Sequence, residues 1–237
     1  ADGDVWIASP SGEVAKKGAH RLRRLGRNSF PHGGNTQSIK DFFDEKTEKL
    51  FREAEFLGQG NNGVVYSLPE NKVIKLFVEK KVCRDEGYIL FKANGSKFFP
   101  RMYAWGKLYI VREKVEGIQL DKYIKKCGIN KEIVWNIYEL IEEFKRLKFS
   151  KIDTRCKDIY VLKNNKVMLI DPKKCYKRSI SYPRHLMKGL LKLQVLDEFL
   201  YYIKMIDKKR GIEWEERFKK YWEKEKHKKQ KRKENNL

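Results

Sequence analysis

The sequence predicts an α+β fold in which a β-rich part is followed by a mostly helical part. Between residues 54 and 112, short runs of β-branched and aromatic residues alternate with turn signals, as in an antiparallel sheet. From residue 120 onward, apolar residues recur at intervals of three and four, as on one face of a helix. With 41% hydrophobic residues among 237, the chain is apolar enough to bury a core, which excludes wholesale disorder.

The β-rich part is expected to begin with a helix. Ser38 followed by Asp41 is typical of a helix start, and Ile39, Phe42 and Phe43 supply apolar spacing. The later elements are separated by a turn signal at 69–71 and by Gly106. Strands are predicted over 54–57, 63–68, 72–77, 101–105 and 107–112, and a second helix over 82–93.

The helical part contains one hairpin. Helices are predicted over 120–126 and 131–147, and the runs 159–162 and 167–170 pair across Asn164-Asn165. A long helical region is predicted from Leu186 to Ile206. The final helix carries four aromatic residues into a basic tail, namely Trp214, Phe218, Tyr221 and Trp222.

The net charge of +22 first indicates an anionic partner, such as nucleic acid, a membrane surface or an acidic substrate. No run approaches eighteen apolar residues, so no membrane-spanning helix is expected. The four cysteines are dispersed, which argues against a disulfide framework or a zinc finger and favours a cytoplasmic location. The four histidines are also scattered, and we interpret His185 and the others as ordinary surface residues.

A glycine-rich segment joins the first two predicted strands. Gly58, Gly60 and Gly63 form a G-x-G-x-x-G pattern that ends at Val65. Because it lies between two strands, it does not fit a Rossmann dinucleotide site. It favours a flap whose backbone amides cover phosphates while Val65 packs on a flat base.

The next strand carries Val73 and Lys75, which are further candidates for the nucleotide site. A lysine among apolar strand residues is costly to bury unless it has an anionic partner. Glu86 in the following helix is a candidate partner, and nucleotide phosphates would be the other anion. A lysine at the edge of the sheet is the alternative.

Three carboxylates follow in a defined order. Asp153 precedes Asp158 by five residues, and Asp171 ends the apolar strand at 167–170. Arg155 lies two residues after Asp153. Carboxylates in such an order suit the binding of Mg²⁺ to phosphates.

Taken in order, these motifs resemble the protein-kinase-like superfamily over about residues 54–207. The chain looks most like small atypical bacterial-type Ser/Thr kinases, with Rio-type and lipopolysaccharide kinases as relatives. The resemblance implies a two-lobed fold and a kinase that uses ATP with Mg²⁺ or Mn²⁺. In it, Lys75 grips the phosphates, Asp153 serves the acceptor hydroxyl, and Arg155 neutralises the transferring phosphate. Asp158 and Asp171 are its metal ligands.

The segment 111–117 resembles the kinase hinge, which implies adenine contacts from the backbone of Glu113 and Val115. Several motifs depart from the family pattern. The usual H-R-D reads Lys151-Ile152-Asp153, D-F-G reads Asp171-Pro172-Lys173, and Arg112 stands at the gatekeeper position. These changes put activation-loop regulation in doubt.

The predicted domains are a basic arm at 1–37, a small lobe with its preceding helix at 38–115, a large lobe at 116–225 and a basic tail at 226–237. Seven Lys/Arg and no acid lie between Lys173 and Lys192, so an anionic acceptor or protein substrate is expected there. A pseudokinase with a scaffolding role is one alternative. Binding of nucleic acid or an anionic membrane through the tail is the other.

Overall fold

A computed structural model describes residues 43–234, with the exception of residues 61, 173, 174 and 178. The chain forms two compact units. The first contains the described residues up to Glu116 together with Asp171 and Pro172, and the second contains Gly117–Ile170 and the described residues after 174. Strands dominate the first unit and helices the second, so the predicted α+β class is confirmed. The basic arm at 1–37 lies outside the described residues.

The first unit is a five-stranded antiparallel sheet with two helices. In chain order the elements are α1 (Glu45–Phe51), β1 (Glu55–Gly60), β2 (Gly63–Leu68), β3 (Lys72–Phe77), α2 (Lys80–Ala93), β4 (Met102–Trp105) and β5 (Tyr109–Glu113). The strand order is β1-β2-β3-β5-β4, so neighbours in sequence are mostly neighbours in the sheet.

Local sequence signals explain most of these boundaries. Glu70 and Asn71 have φ values of 59° and 54° and form the predicted tight turn between β2 and β3. Helix α1 begins after Asp44, whose side chain accepts a hydrogen bond from the backbone N–H of Thr47 at 3.0 Å. The start predicted at Ser38 and Asp41 lies outside the described residues.

The two faces of the sheet have different partners. One face forms an apolar core, against which Leu50 and Phe51 of α1 pack. The opposite face meets α2, which contacts β3, β4 and β5. Since successive side chains of a strand alternate between faces, β3 directs Ile74 to the apolar core and Lys75 to the side of α2. The buried members of the core are Phe43, Leu68, Ile74, Leu76, Tyr109 and Val111.

The second unit combines a three-stranded sheet with a set of helices. The elements are β6 (Ile118–Gln119), α3 (Leu120–Cys127), α4 (Lys131–Arg146), a 3₁₀ turn (Cys156–Asp158), β7 (Ile159–Val161), a 3₁₀ turn (Lys163–Asn165), β8 (Val167–Leu169), α5 (Arg184–Lys192), α6 (Leu196–Ile206) and α7 (Lys208–Glu234). The strands lie in the order β6-β7-β8. Strands β7 and β8 form the predicted hairpin, and Asn164 and Asn165 turn the chain with φ values of 59° and 55°.

The single helical region predicted over 186–206 is wrong, since the structure has two helices there. Gln194 adopts a φ of 61°, and the backbone N–H groups of Leu193, Gln194 and Val195 bond back to the last turn of α5. This left-handed residue ends α5 without the glycine that normally marks such a position. The apolar pattern also continues across it, so the sequence does not predict the end of the helix.

The basic C-terminal segment continues a packed helix. Trp214 of α7 stacks on Phe199 of α6 with ring centroids 6.5 Å apart. Phe218, further along α7, is also buried. Helix α7 then runs through the charged residues to Glu234. In the described part of the chain, no helix is long and apolar enough to cross a membrane.

Candidate active site

Lys75 and Glu86 form a buried ion pair in the first unit. The Lys75 Nζ atom lies 2.9 Å and 2.7 Å from the two carboxylate oxygens of Glu86. Only 10% of the lysine side chain and 5% of the glutamate side chain are exposed. The predicted partnership between β3 and the following helix is therefore present, and the sheet-edge alternative for Lys75 is wrong.

Asp171 is the third charged member of this cluster. Its Oδ1 atom lies 3.8 Å from the Lys75 Nζ atom, and its side chain is partly exposed. We call Lys75, Glu86 and Asp171 the lysine cluster. It places the predicted phosphate-binding lysine beside one of the two predicted metal ligands.

The electrostatics of the lysine cluster keep its lysine charged. Burial acts to lower the pKa of Lys75, but the negative charges of Glu86 and Asp171 outweigh it, so this pKa lies above its ordinary value. Burial raises the pKa of Glu86, and the negative charge of Asp171 adds to that effect against the attraction of Lys75. Both groups therefore hold their protons more tightly than they would in water.

Val65, the predicted base-packing residue, and Val73 share a face with Lys75. Val65 pairs with Lys75 across β2 and β3, and cross-strand partners direct their side chains to the same face. Val73 lies two residues before Lys75 on β3 and therefore also faces that side. Arg112 pairs with Val73 across β3 and β5, so its side chain lies on the same face of the sheet. The sheet thus brings three predicted nucleotide-binding residues and the gatekeeper arginine together.

The glycine-rich segment forms the β1–β2 hairpin. Gly58 pairs with Val65 and Gly60 with Gly63. A Cβ atom on Gly63 would lie 1.8 Å from the backbone oxygen of Leu76, which explains why this position has no side chain. Asn61, at the tip, lies outside the described residues. The hairpin is the strand–glycine turn–strand flap that the pattern predicts.

The hinge-like segment has an unusual hydrogen bond. Arg112 is buried, and its Nη1 atom donates to the backbone oxygen of Glu113 at 3.0 Å. The Glu113 N–H donates to the Arg101 oxygen at 2.8 Å as β5 ends. Both backbone groups of Glu113 therefore have partners within the chain, whereas Val115 lies half-buried beyond the strand. The predicted adenine contacts at these two positions remain a prediction.

The second unit holds Asp153 against helix α5. One carboxylate oxygen, Oδ1, accepts the backbone N–H of His185 at 3.0 Å, and the other, Oδ2, is in hydrogen-bond contact with the His185 Nδ1 atom. The loop before Asp153 is tied to a distant segment, since the N–H of Ile152 donates to the Ile180 oxygen at 2.6 Å. We call Asp153 and His185 the histidine pair.

His185 is a site residue that the sequence analysis missed. It lies 32 residues from its partner, and no family motif marks that spacing. The interpretation of His185 as an ordinary surface residue is wrong, because its ring is bound to a buried carboxylate. One signal was available, since His185 directly precedes the helix predicted from Leu186, and the first N–H groups of a helix attract carboxylates.

Arg155 and Asp158 are bound to each other. Two hydrogen bonds of 2.7 Å join the guanidinium Nε and Nη2 atoms to the two carboxylate oxygens, in the bidentate geometry typical of arginine. The Asp158 backbone oxygen also accepts the N–H of Ile170 at 3.2 Å, which fixes this turn to the end of β8. A predicted metal ligand and a predicted phosphate-neutralising cation thus form one ion pair.

No metal cluster is seen in the described part of the chain, where no three His, Cys, Asp or Glu side chains gather as metal ligands would. The donor set still suits Mg²⁺, which is usually bound through one or two carboxylates while substrate phosphates and water supply the rest. Asp158 and Asp171 are carboxylates of this kind. Their role as metal ligands remains a prediction.

Cys156 lies between the predicted site residues Arg155 and Asp158 but is unsuited to nucleophilic chemistry. Burial raises its pKa to about 12, and the nearby negative charges of Asp121 and Asp158 add to that effect. A thiol with this pKa is protonated at neutral pH and reacts slowly.

The predicted acceptor region, Lys173–Lys192, is described only in part. Arg184 lies over the ring of Tyr221 at 5.5 Å, and the Lys188 Nζ atom is 3.9 Å from Glu225. Lys173, Lys174 and Arg178 lie outside the described residues. Two of the described cations of α5, Arg184 and Lys188, thus contact α7 within the second unit.

Comparison with known proteins gives one informative similarity. Over 135 residues, the chain is 24% identical to a Bacillus subtilis (strain 168) protein named "Putative serine/threonine-protein kinase YrzF". The matched region covers 54% of this chain and 62% of that protein, so the chain spans less than two thirds of its relative's length. No known protein-family profile matches the chain. The similarity supports a kinase-like relationship.

Proposed function

We propose that this protein is an ATP-dependent phosphotransferase of the small atypical Ser/Thr kinase type, which moves the γ-phosphate to a hydroxyl group. The lysine cluster is the observation that carries this proposal. Taking a lysine and a glutamate out of water costs several kcal/mol per ion by order of magnitude, and the attraction between them often fails to repay it. Such a pair is therefore more readily explained by function than by stability.

The residues of the first unit would bind the nucleotide. Glu86 holds the Lys75 ammonium group, whose remaining donor capacity would serve the α- and β-phosphates. Val65 and Val73 present an apolar surface on the same face of the sheet, which suits a flat base. The glycine hairpin would offer backbone N–H groups to the phosphates.

The carboxylates would hold the metal and serve the acceptor. Asp171 and Asp158 would be the metal ligands, and Asp153 would serve the acceptor hydroxyl, either directly or through a partner side chain. When bound, Mg²⁺ or Mn²⁺ would neutralise charge on the phosphates. Phosphoryl transfer needs little beyond positioning and charge neutralisation, which this residue set can supply.

A pseudokinase is the second candidate, and the Arg155–Asp158 ion pair favours it. In that arrangement the guanidinium covers the carboxylate that would otherwise ligate the metal. This candidate predicts nucleotide binding without phosphate transfer. The two candidates therefore differ in turnover and not in affinity.

The test uses the full chain with radiolabelled ATP, Mg²⁺ or Mn²⁺, and autophosphorylation as the readout. We expect transfer by the wild type and a loss of at least about 100-fold in Asp171→Asn. Asp197→Asn, which changes an exposed aspartate in the first turn of α6, is the matched control and should leave transfer unchanged. Binding of ATP without transfer would select the pseudokinase, and absence of both would reject the proposal.

A further inference from the structure

Asp153 cannot touch an acceptor in the structure described here. Its side chain is 0% exposed, and each of its carboxylate oxygens is bound to His185. A group that takes a proton from a substrate hydroxyl must come within about 3 Å of it. The residue predicted to serve the hydroxyl is therefore shielded by another side chain.

His185 is the accessible member of the histidine pair. Its side chain is 40% exposed, and Asp153 engages it twice, through the backbone N–H and through Nδ1. Because Nδ1 faces the carboxylate, Nε2 is the ring nitrogen left for another partner. Among the described residues, Nε2 has no hydrogen-bond partner. The carboxylate thus fixes both the orientation of the ring and which nitrogen it presents.

The surroundings of the pair are rich in cations and phenols. Arg184 precedes His185 and lies over the ring of Tyr221, and Arg217 lies over the ring of Tyr182 at 4.7 Å. Burial raises the pKa of Tyr182 and of Tyr221, and the negative charge of Asp153 adds to that effect. Further along these helices, Lys188 is paired with Glu225. Positive charge at this end of α5 suits an acceptor or product that carries negative charge.

We propose that His185, oriented by Asp153, is the group that receives the proton of the acceptor hydroxyl, an inference that rests on the proposed kinase activity. In the transfer step the acceptor O–H bond breaks and its proton goes to the Nε2 atom of His185. The acceptor oxygen bonds to the γ-phosphorus, and the bond from that phosphorus to the bridging oxygen breaks to leave ADP. Asp153 stabilises the imidazolium that forms. Asp153 is then a positioning residue that acts through His185.

A purely structural role for the pair is the competing explanation. A carboxylate near the first turn of a helix stabilises that helix through its N–H groups. Asp153 accepts the N–H of His185 in this way. A structural role would change thermal stability when either residue is replaced, but it would not respond to a small molecule that replaces the ring.

The experiment measures autophosphorylation, ATP binding and thermal melting for the wild type, His185→Ala, His185→Gln and Asp153→Asn. His227→Ala, which removes an exposed histidine of α7, is the matched control. We expect both His185 variants to lose about 100-fold to 10,000-fold in transfer while ATP affinity stays within about threefold. Added imidazole should restore part of the activity of His185→Ala and none of that of Asp153→Asn.

Several outcomes would overturn the inference. Transfer within a few-fold of wild type in both His185 variants, with a large loss in Asp153→Asn, would mean that Asp153 meets the acceptor directly. A loss of melting temperature with no rescue by imidazole would show a structural pair. A wild type that binds no ATP and transfers no phosphate would reject the proposed function itself, which is a different result because it appears before any variant is compared.

Discussion

The lysine cluster and the histidine pair each hold a charged side chain in a fixed position, but they do so in different ways. In the lysine cluster, Lys75 on β3 and Glu86 on α2 are both buried, and neither of these two side chains has more than a tenth of its surface in solvent. In the histidine pair only the carboxylate is buried, while its partner ring is substantially exposed. The first arrangement depends on the packing of the whole unit, and the second on one loop and one helix end.

This difference explains what each cluster is suited for. A fully desolvated pair costs no rearrangement when a charged ligand arrives, because its ions are already held in place. The half-exposed ring of His185, bound to a buried carboxylate, can instead contact acceptors that differ from one another. We therefore expect the first unit to hold the constant part of the reaction, the nucleotide, and the second to meet the acceptor.

The largest expected effect comes from breaking the buried pair. Glu86→Gln leaves the Lys75 charge buried beside a neutral amide, and the free energy of unfolding should fall by about 3–5 kcal/mol. Urea unfolding measures this. Glu79→Gln, an exposed position at the start of α2 with no capping hydrogen bond, is the control and should stay within about 0.5 kcal/mol. Equal losses in the two variants would contradict the burial argument.

A second prediction concerns the rigidity of the sheet that carries the lysine cluster. Gly63→Ala places a methyl group 1.8 Å from the backbone oxygen of Leu76, so β2 and β3 must separate. We expect a loss of about 1–3 kcal/mol in unfolding free energy together with weaker ATP binding. Gly95→Ala, where φ is +90° but nothing lies within 4 Å, should lose only about 1–2 kcal/mol and keep ATP affinity. Unchanged ATP binding in Gly63→Ala would separate the hairpin from the nucleotide site.

The third prediction tests whether water is excluded equally from the interiors of the two units. Burial raises the pKa of Cys83 in the first unit, and of Cys156 and Cys175 in the second, from 9.0 to about 12. A raised pKa in the folded state gives stability that is present below pH 9 and lost as the pH rises toward 12. Each thiol should contribute a slope of up to about 1.4 kcal/mol per pH unit in that range.

Urea unfolding at a series of alkaline pH values checks this slope, with Cys156→Ala as the variant that removes one buried thiol. Labelling of the folded protein at pH 8 should modify the exposed Cys127 first. Rapid labelling of all four cysteines in the folded state would contradict the dry interior. A slope unchanged by Cys156→Ala would limit the effect to the other two thiols.

The smallest effect on stability is expected at the Arg155–Asp158 pair. Asp158→Asn removes a partly exposed ion pair between neighbours three residues apart, which is worth less than about 1 kcal/mol. If Asp158 is a metal ligand, the Mg²⁺ concentration needed for half-maximal transfer should nevertheless rise at least about 10-fold. The control is Glu143→Gln, which breaks the similar Arg146–Glu143 pair and should change neither stability nor metal dependence much. An unaltered Mg²⁺ dependence of transfer in Asp158→Asn would show that Asp158 is not a metal ligand.

Local sequence patterns were enough to predict most strands and helices and the contacts that follow from them. Because side chains alternate along a strand, the prediction of β3 places Lys75 on the face opposite to Ile74, and the helix after it carries Glu86 within reach. The turn at Glu70 and Asn71 and the glycine at Gly63 were readable because backbone geometry and sterics limit which residues occupy such positions.

Other features depended on packing between distant segments. Arg112 marked an unusual gatekeeper position, but only the folded backbone shows its guanidinium on the oxygen of Glu113. Gln194 interrupts an apolar pattern that would otherwise continue as one helix, since residues other than glycine rarely signal a left-handed conformation.

The histidine pair is the feature that depends most on the long-range packing of the chain. Asp153 could be singled out from its spacing to Asp158, because ligands of one loop lie close together in the sequence. Its partnership with His185 required β8 and the following segment to return the chain to the first turn of α5, 32 residues later. Local periodicity does not predict which segments pack together after such a return, because their packing depends on how the whole unit buries its apolar surface.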